Sequence, residues 1–161
     1  MPNEKQYSEA DVHRFFAVQY HGKTWELLDK IDRTPVENEC LADYAHTSLA
    51  HWRVAGTAVH YQRGVWLLSR VYSVLGDAEL ALLYARRTLE LTEEHLEELE
   101  KFDQAFAFEC MARAHALTGN VIEAKLYLKS AQQAGEEIPE KEDRDMFFAE
   151  LKGGEWNNLW G

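Results

Sequence analysis

The sequence is poor in helix-breaking residues and in cysteine. Its 161 residues include three prolines, nine glycines and two cysteines. So few prolines and glycines exclude a long, loop-rich fold. Cys40 and Cys110 form no Cys-x-x-Cys pair, so neither a zinc ribbon nor a disulfide framework is indicated. We expect two free thiols in a reducing compartment and predict a cytoplasmic location.

Positive charge is the second shortage, with 17 basic residues against 28 acidic ones and a net charge of -11. Binding to a phosphate backbone needs clustered lysine and arginine, so we expect no nucleic-acid partner. An acidic surface also disfavours anionic lipid. No run of about 18 apolar residues exists and the first residues do not resemble a signal peptide, so we expect no membrane contact.

Motifs for catalysis and metal binding are also scarce. The sequence has no Gly-x-Ser-x-Gly elbow and no phosphate-binding glycine loop. Glu39, Asp43 and His46 share one face of a helix, and Asp43-x-x-His46 is similar to the carboxylate-x-x-His motif of di-iron bundles. That motif needs a second copy, which is missing. We therefore predict no metal and no cofactor, with a metal-dependent helical-bundle enzyme as an alternative.

Apolar residues recur at helical spacing throughout, and no segment alternates as a strand would. The pattern predicts seven helices in one domain, with a break at Gly22 left open. They run from Ser8 to about Ile31, Val36 to Val54, Ala58 to Leu75, Asp77 or Ala78 to as far as Glu100, Asp103 to Thr118, Val121 to Ala134 and Glu140 to Leu151. We interpret the acidic residues 93–100 as a solvated extension of the fourth helix.

One spacing pattern occurs twice, in residues 67–91 and 110–134, at an offset of 43. The equivalent pairs are Ser69 and Ala112, Tyr72 and His115, Gly76 and Gly119, Ala81 and Ala124, and Thr88 and Ala131. Small residues let two helices approach closely, and a glycine allows a left-handed turn between them. The repeat therefore predicts an all-α fold of stacked antiparallel helical hairpins.

Residues 62–91 and 105–134 resemble the tetratricopeptide repeat, a helix–turn–helix unit. The period is 43 rather than the usual 34, and His115 stands where tyrosine is usual. The resemblance implies one domain over 1–161. It comprises a degenerate hairpin in 1–56, two repeat-like hairpins in 57–135, and a capping helix with an aromatic tail in 136–161. The stretches 45–52, 63–66 and 103–113 also resemble a bacterial family of unassigned function, which implies no mechanism.

The same resemblance implies that the first helix of each hairpin lines a concave groove that binds a partner. The residues carried over to that groove are Arg63, Trp66, Arg70, Phe106, Glu109 and Arg113. Arg70 and Arg113 are equivalent positions, and we expect their guanidinium groups to grip a carboxylate. Alternatively, Glu109 and Arg113 form an i,i+4 ion pair and Arg70 neutralises a nearby carboxylate.

The sequence thus predicts a non-catalytic module that binds a protein or peptide. An alternative is a self-associating homodimer or higher homo-oligomer, in which a second copy occupies the groove. The tail from Trp156 to Trp160 either docks on its own domain or inserts into another subunit, and both options stay open.

Overall fold

The structure is a computed structural model that describes residues 4–157 and 159, and within these residues it contains helices and no strand. The helices are α1 (Glu9–Leu28), α2 (Pro35–Ala55), α3 (Ala58–Leu75), α4 (Ala78–Glu94), α5 (Lys101–Thr118), α6 (Val121–Glu136) and α7 (Lys141–Lys152). Each helix packs on the next, and α5 also contacts α3 and α7. The predicted stack of helical hairpins is confirmed. Along the described residues, no helix has the length and apolarity needed to cross a bilayer.

The two turns at the offset of 43 have the same geometry. Gly76 and Gly119 adopt φ angles of 79° and 81° in the left-handed region. The amide of the following residue, Asp77 or Asn120, donates back to the carbonyl five residues earlier at 2.9 Å in both copies. Both of these side chains then cap the second helix of the hairpin. The predicted glycine turns are confirmed, because only a residue without a Cβ enters this region at little cost.

The small residues of the repeat lie where the two helices of each hairpin touch. Ser69 and Ala81 in one copy, and Ala112 and Ala124 in the other, are all 0% exposed. The Ser69 hydroxyl donates to the Ala81 carbonyl at 3.0 Å, directly across the first interface. The repeat spacing therefore predicted these buried contact positions correctly.

Two helix boundaries differ from those expected. Helix α1 passes through Gly22 without a break and ends at Leu28, not Ile31. The Arg33 guanidinium donates to the carbonyls of Leu27 at 3.0 Å and Lys30 at 2.7 Å, which satisfies the end of the helix. Ile31 is 100% exposed and belongs to no apolar stripe.

The fourth helix is also shorter than expected, since α4 ends at Glu94. The chain turns at His95, and Leu99 is buried. The expected helical extension to Glu100 is wrong, because a continuing helix would carry Leu99 away from the domain.

The C-terminal segment docks on its own chain. Trp156 and Leu159 are buried, and they belong to a core cluster that includes Phe147 of α7 and Phe106 of α5. The Trp156 indole nitrogen donates to the Leu151 carbonyl at 3.1 Å. Trp160 lies outside the described residues.

Candidate binding cavity

A cavity of about 320 Å³ is lined by α1, α3, α5 and α7. The first three are the leading helices of the successive hairpins, so their side chains reach the same side of the stack. Its apolar lining consists of Trp25, Trp66, Phe102, Phe106 and Met146. Its polar lining consists of His21, Gln62, Arg63, Asp103 and Glu150. A mainly aromatic cavity with a few convergent polar groups is typical of ligand sites.

The aromatic side chains support one another across the helices. Trp25 stacks on Trp66 with ring centroids 6.1 Å apart, and Trp66 meets Phe106 edge-on at 5.3 Å. Phe106 contacts Phe102 at 4.7 Å and Phe147 at 4.9 Å. Each ring is held by a neighbour on another helix or another turn, so the wall of the cavity is formed before any ligand binds.

An ion pair between α3 and α5 fixes the polar side of the cavity. The Arg63 guanidinium donates from Nε to Asp103 Oδ1 at 2.7 Å and from Nη2 to Oδ2 at 3.2 Å. The Asp103 side chain is 2% exposed and that of Arg63 is 47% exposed. The hydrogen bond to Asp103 raises the pKa of Arg63. This fork holds the two helices in register and leaves part of the guanidinium accessible.

One donor in the lining lacks an acceptor. Trp66 Nε1 is buried, and no hydrogen-bond partner for it exists among the described residues. A buried N–H without an acceptor costs free energy. This nitrogen does not face the open space of the cavity, since solvent does not reach it.

The structure distributes five of the six predicted groove residues over two neighbouring cavities. Arg63, Trp66 and Phe106 line the aromatic cavity. Arg70 and Arg113 line a second one of about 340 Å³, beside the C-terminal segment. The sixth residue, Glu109, is fully buried between these two arginines.

The two arginines converge on one carboxylate of their own chain. Arg70 Nη1 lies 3.5 Å from Glu109 Oε1, and Arg113 Nε donates to the same oxygen. Arg70 Nη2 also donates to Glu150 of α7 at 3.1 Å. Both internal ion pairs considered from the sequence are therefore present. A partner carboxylate at these arginines would have to displace Glu109 or Glu150.

Arg113 also fixes the end of α7 and the segment that follows it. Its Nη2 donates to the carbonyls of Glu150 at 2.7 Å and Gly153 at 3.0 Å, and its Nη1 to that of Glu155 at 3.4 Å. The guanidinium lies 4.2 Å from the ring centroid of Trp156. These contacts use most of its donors inside the chain.

Sequence reasoning missed the contributions of α1 and α7 to the cavity. Trp25 lies in the hairpin of α1 and α2, where no repeat register locates it, and Met146 lies on α7, outside the repeat. Phe102 could have been found, because it precedes Phe106 by four residues and so shares its helix face. The helical spacing of α5 was therefore a usable signal for Phe102, whereas the sequence offered none for Trp25 or Met146.

The residues of the metal alternative make other contacts. His46 Nε2 shares a hydrogen bond of 2.9 Å with the Tyr72 hydroxyl. Over the described part of the chain, no group of three or more His, Cys, Asp or Glu side chains is arranged to hold a metal ion. Burial raises the pKa of the Cys110 thiol, so it stays protonated at neutral pH.

No protein-family model matches this chain, nor does any curated protein or any solved structure. The likeness to the tetratricopeptide repeat therefore depends on the repeat within this chain and on its helical geometry. Function has to be inferred from the cavity itself.

Proposed function

We propose that this protein is a non-catalytic, tetratricopeptide-like adaptor that binds a peptide segment of a partner protein in the aromatic cavity between α1, α3, α5 and α7. The observation that carries the proposal is the cavity's wall of mutually supported aromatic rings, formed on the side where the leading helices align. A cytoplasmic location goes with this proposal, since both cysteines are free.

The cavity indicates what kind of peptide would bind. A volume of about 320 Å³ is near the lower end of the range of small-ligand pockets, about 300–1,000 Å³. It therefore suits one large apolar or aromatic side chain rather than a long segment. With a net charge of -11, the protein would attract basic peptides faster than acidic ones.

A peptide-display selection against the purified full chain tests the proposal. We expect the selected peptides to share an aromatic or large aliphatic residue flanked by lysine or arginine. Their affinity is then measured by calorimetry for Trp66→Ala and for the matched variant Trp52→Ala, whose ring stacks on His60 outside the cavity. The Trp66 variant should weaken binding at least about tenfold, a loss typical of a central aromatic contact.

A second pair of variants separates binding from folding. Met146 lines the cavity and is 48% exposed, so Met146→Lys should place a charge at the site without disturbing the core. Leu126 on α6 is 57% exposed and does not line the cavity, so Leu126→Lys is the matched control. If both lysine variants bind the selected peptides like the parent protein, the cavity is not the site and the proposal fails.

A further inference from the structure

The rings that line the aromatic cavity stand at steep angles to one another. The plane of Phe106 makes an angle of 70° with that of Trp66 and 65° with that of Phe102, with ring centroids 5.3 Å and 4.7 Å apart. The Trp25 ring lies 6.1 Å from that of Trp66. A group held among rings so close together lies within about 6 Å of several of them, the distance over which the face of an aromatic ring attracts a cation.

The ion pairs beside the cavity leave an excess of negative charge. Asp103 and Glu150 line the cavity, together with one guanidinium, that of Arg63. The ion pairs in which these residues and their neighbours take part involve three arginines and four carboxylates, namely Arg63, Arg70 and Arg113, and Glu100, Asp103, Glu109 and Glu150. The local charge therefore favours a bound cation and opposes a bound anion.

Other titratable groups near the cavity do not reverse this sign. Partial desolvation lowers the pKa of His21, so its imidazole is neutral at pH 7. On neighbouring turns of the same helix faces, α1 carries Arg14 and ends at Asp29, and α7 carries Glu142. Two carboxylates and one guanidinium again favour a cation.

Hydrogen-bond acceptors on the polar side of the cavity are already engaged. The two oxygens of Asp103 accept from the Arg63 guanidinium and from the Glu100 amide. Glu150 Oε2 accepts from Arg70. An unmodified lysine ammonium has three N–H donors, and it would lose its hydration here where these acceptors are taken. A trimethylated ammonium keeps the positive charge and has no N–H to satisfy, so aromatic walls suit it better.

We propose that the side chain bound in this cavity is a trimethylated lysine of the partner peptide, with its ammonium among the rings of Trp25, Trp66, Phe102 and Phe106. This inference rests on the peptide-binding function proposed above and names the residue recognised. Trimethyllysine is apolar over its chain and its methyl groups and carries a positive charge, so it matches both the lining and the sign of the charge. A display selection offers no methylated lysine, so an aromatic or aliphatic side chain takes that place in the selected peptides.

Titration of the full chain with small probes tests the inference, with the indole signals of Trp25 and Trp66 followed by nuclear magnetic resonance. The probes are N-acetyl-trimethyllysine amide, N-acetyl-lysine amide, and a neutral isostere in which carbon replaces the quaternary nitrogen of trimethyllysine. The trimethyllysine probe should bind at least about tenfold more tightly than either of the others, as expected for a desolvated cation among aromatic rings.

A matched pair of variants separates the charge from the shape. Phe102→Leu keeps apolar bulk at the cavity and removes a ring face, so it should reduce the preference for trimethyllysine over the neutral isostere at least about threefold. Phe15→Leu makes the same change on α1 at a ring that does not line the cavity, and it should leave the preference unchanged. Circular dichroism would check that both variants fold.

Choline distinguishes a lysine side chain from a small molecule or a lipid headgroup. It carries the same trimethylated ammonium on a shorter chain, so it should bind more weakly than the trimethyllysine probe. Equal affinity for choline would overturn the assignment to lysine.

Two further results would overturn the inference: a neutral isostere that binds as tightly as the trimethyllysine probe, or no shift of either indole signal at the highest soluble concentration of that probe. Neither result touches the peptide site, which is judged by the loss of affinity of the selected peptides in Trp66→Ala. If that variant binds the selected peptides normally while the parent protein binds the trimethyllysine probe, the peptide proposal fails instead.

Discussion

His115 stacks on Tyr127, with ring centroids 5.6 Å apart and an angle of 5° between the planes. The equivalent residues 43 positions earlier, Tyr72 and Tyr84, form the same stack at 5.7 Å and 10°. The repeat therefore preserves a side-chain contact as well as a turn. In the second copy an imidazole replaces the phenol ring, which puts a group with an ordinary pKa of about 6.5 at a buried position.

The stack predicts a pH dependence of stability. Burial lowers the pKa of His115, an effect that nearby Arg86 strengthens and Glu123 opposes. The folded state thus favours neutral imidazole, and the unfolded chain binds more protons as pH falls below about 6.5. The contribution of the neutral His115 imidazole to stability is fully present above about pH 6.5, and it is lost as pH falls towards the lower pKa that His115 has in the folded protein. His60 has its pKa lowered by burial too, so His115→Tyr should reduce the slope without removing it.

The measurement is the free energy of unfolding by urea at about pH 7.5 and about pH 5.5, above and below the ordinary histidine pKa. His115→Tyr also restores the residue found at the equivalent position, Tyr72, so the stack should survive. An equal loss of stability on acidification in the parent protein and the variant would contradict the explanation.

Arg113 should be among the residues whose truncation is most costly. Among the described residues, Arg113→Ala leaves buried Glu109 with the longer contact to Arg70 and removes the donors to the carbonyls of Glu150 and Gly153. Breaking a buried pair in this way costs about 3 kcal/mol or more. Arg113→Lys should recover part of the loss, since an ammonium keeps the charge but not the fork. Urea unfolding measures the stability of both variants. A loss below about 0.5 kcal/mol for Arg113→Ala would show that the contacts of Arg113 do not stabilise the fold in this way.

The same variant should release the C-terminal segment before the rest of the domain unfolds. Arg113 holds the carbonyls of Gly153 and Glu155, and its guanidinium lies over Trp156. We expect Arg113→Ala to speed hydrogen exchange in α7 and the following residues while α3 and α4 keep their protection. Uniform loss of protection along the chain would argue against a local role.

The glycine turns predict a specific order of stability among variants. Gly76→Ala should destabilise the protein by about 1 kcal/mol, because an L side chain is strained at a φ of 79°. Gly76→Asn should cost less, since asparagine visits this region more readily. A Cβ at Gly76 would meet nothing within 4 Å, so the difference between the two variants reports backbone strain and not a steric clash. Thermal unfolding of the two variants measures the order, and the reverse order would contradict it.

The small residues between helices should resist enlargement. Ala81 is 0% exposed at the interface of α3 and α4, so Ala81→Leu should cost about 1–3 kcal/mol through overpacking. Ala50→Leu, on the exposed side of α2, makes the same change where space is available. If the two variants unfold at the same urea concentration, the hairpin is not as tightly packed as the structure indicates.

The sequence was most informative where structure is local. Gly76 and Gly119 stop helices through their own backbone, and Ser69 and Ala112 mark contacts within single hairpins, so the repeat alone located them. The cavity was found only in part, through Arg63, Trp66 and Phe106. These residues lie on α3 and α5, which both belong to the repeat. The offset of 43 therefore shows which positions on the two helices are equivalent.

The remaining features depend on contacts between distant segments. Arg113 pairs with carbonyls 37 and 40 residues further along the chain, a relation that no helical period encodes. Trp25 reaches Trp66 from a hairpin without the repeat pattern. The early end of α4 likewise follows from the burial of Leu99, which is decided by tertiary packing rather than by the helix-favouring acidic residues around it.

The most direct test of the peptide-binding cavity is the nuclear magnetic resonance signal of each indole N–H during titration with a selected peptide. The chain has five tryptophans, which single Trp→Phe variants would assign. The indole signals of Trp66 and Trp25, whose rings line the cavity, should shift as the peptide side chain packs against those rings. The signal of Trp52 should stay in place. A titration in which Trp52 moves and Trp66 does not would show that the peptide binds elsewhere.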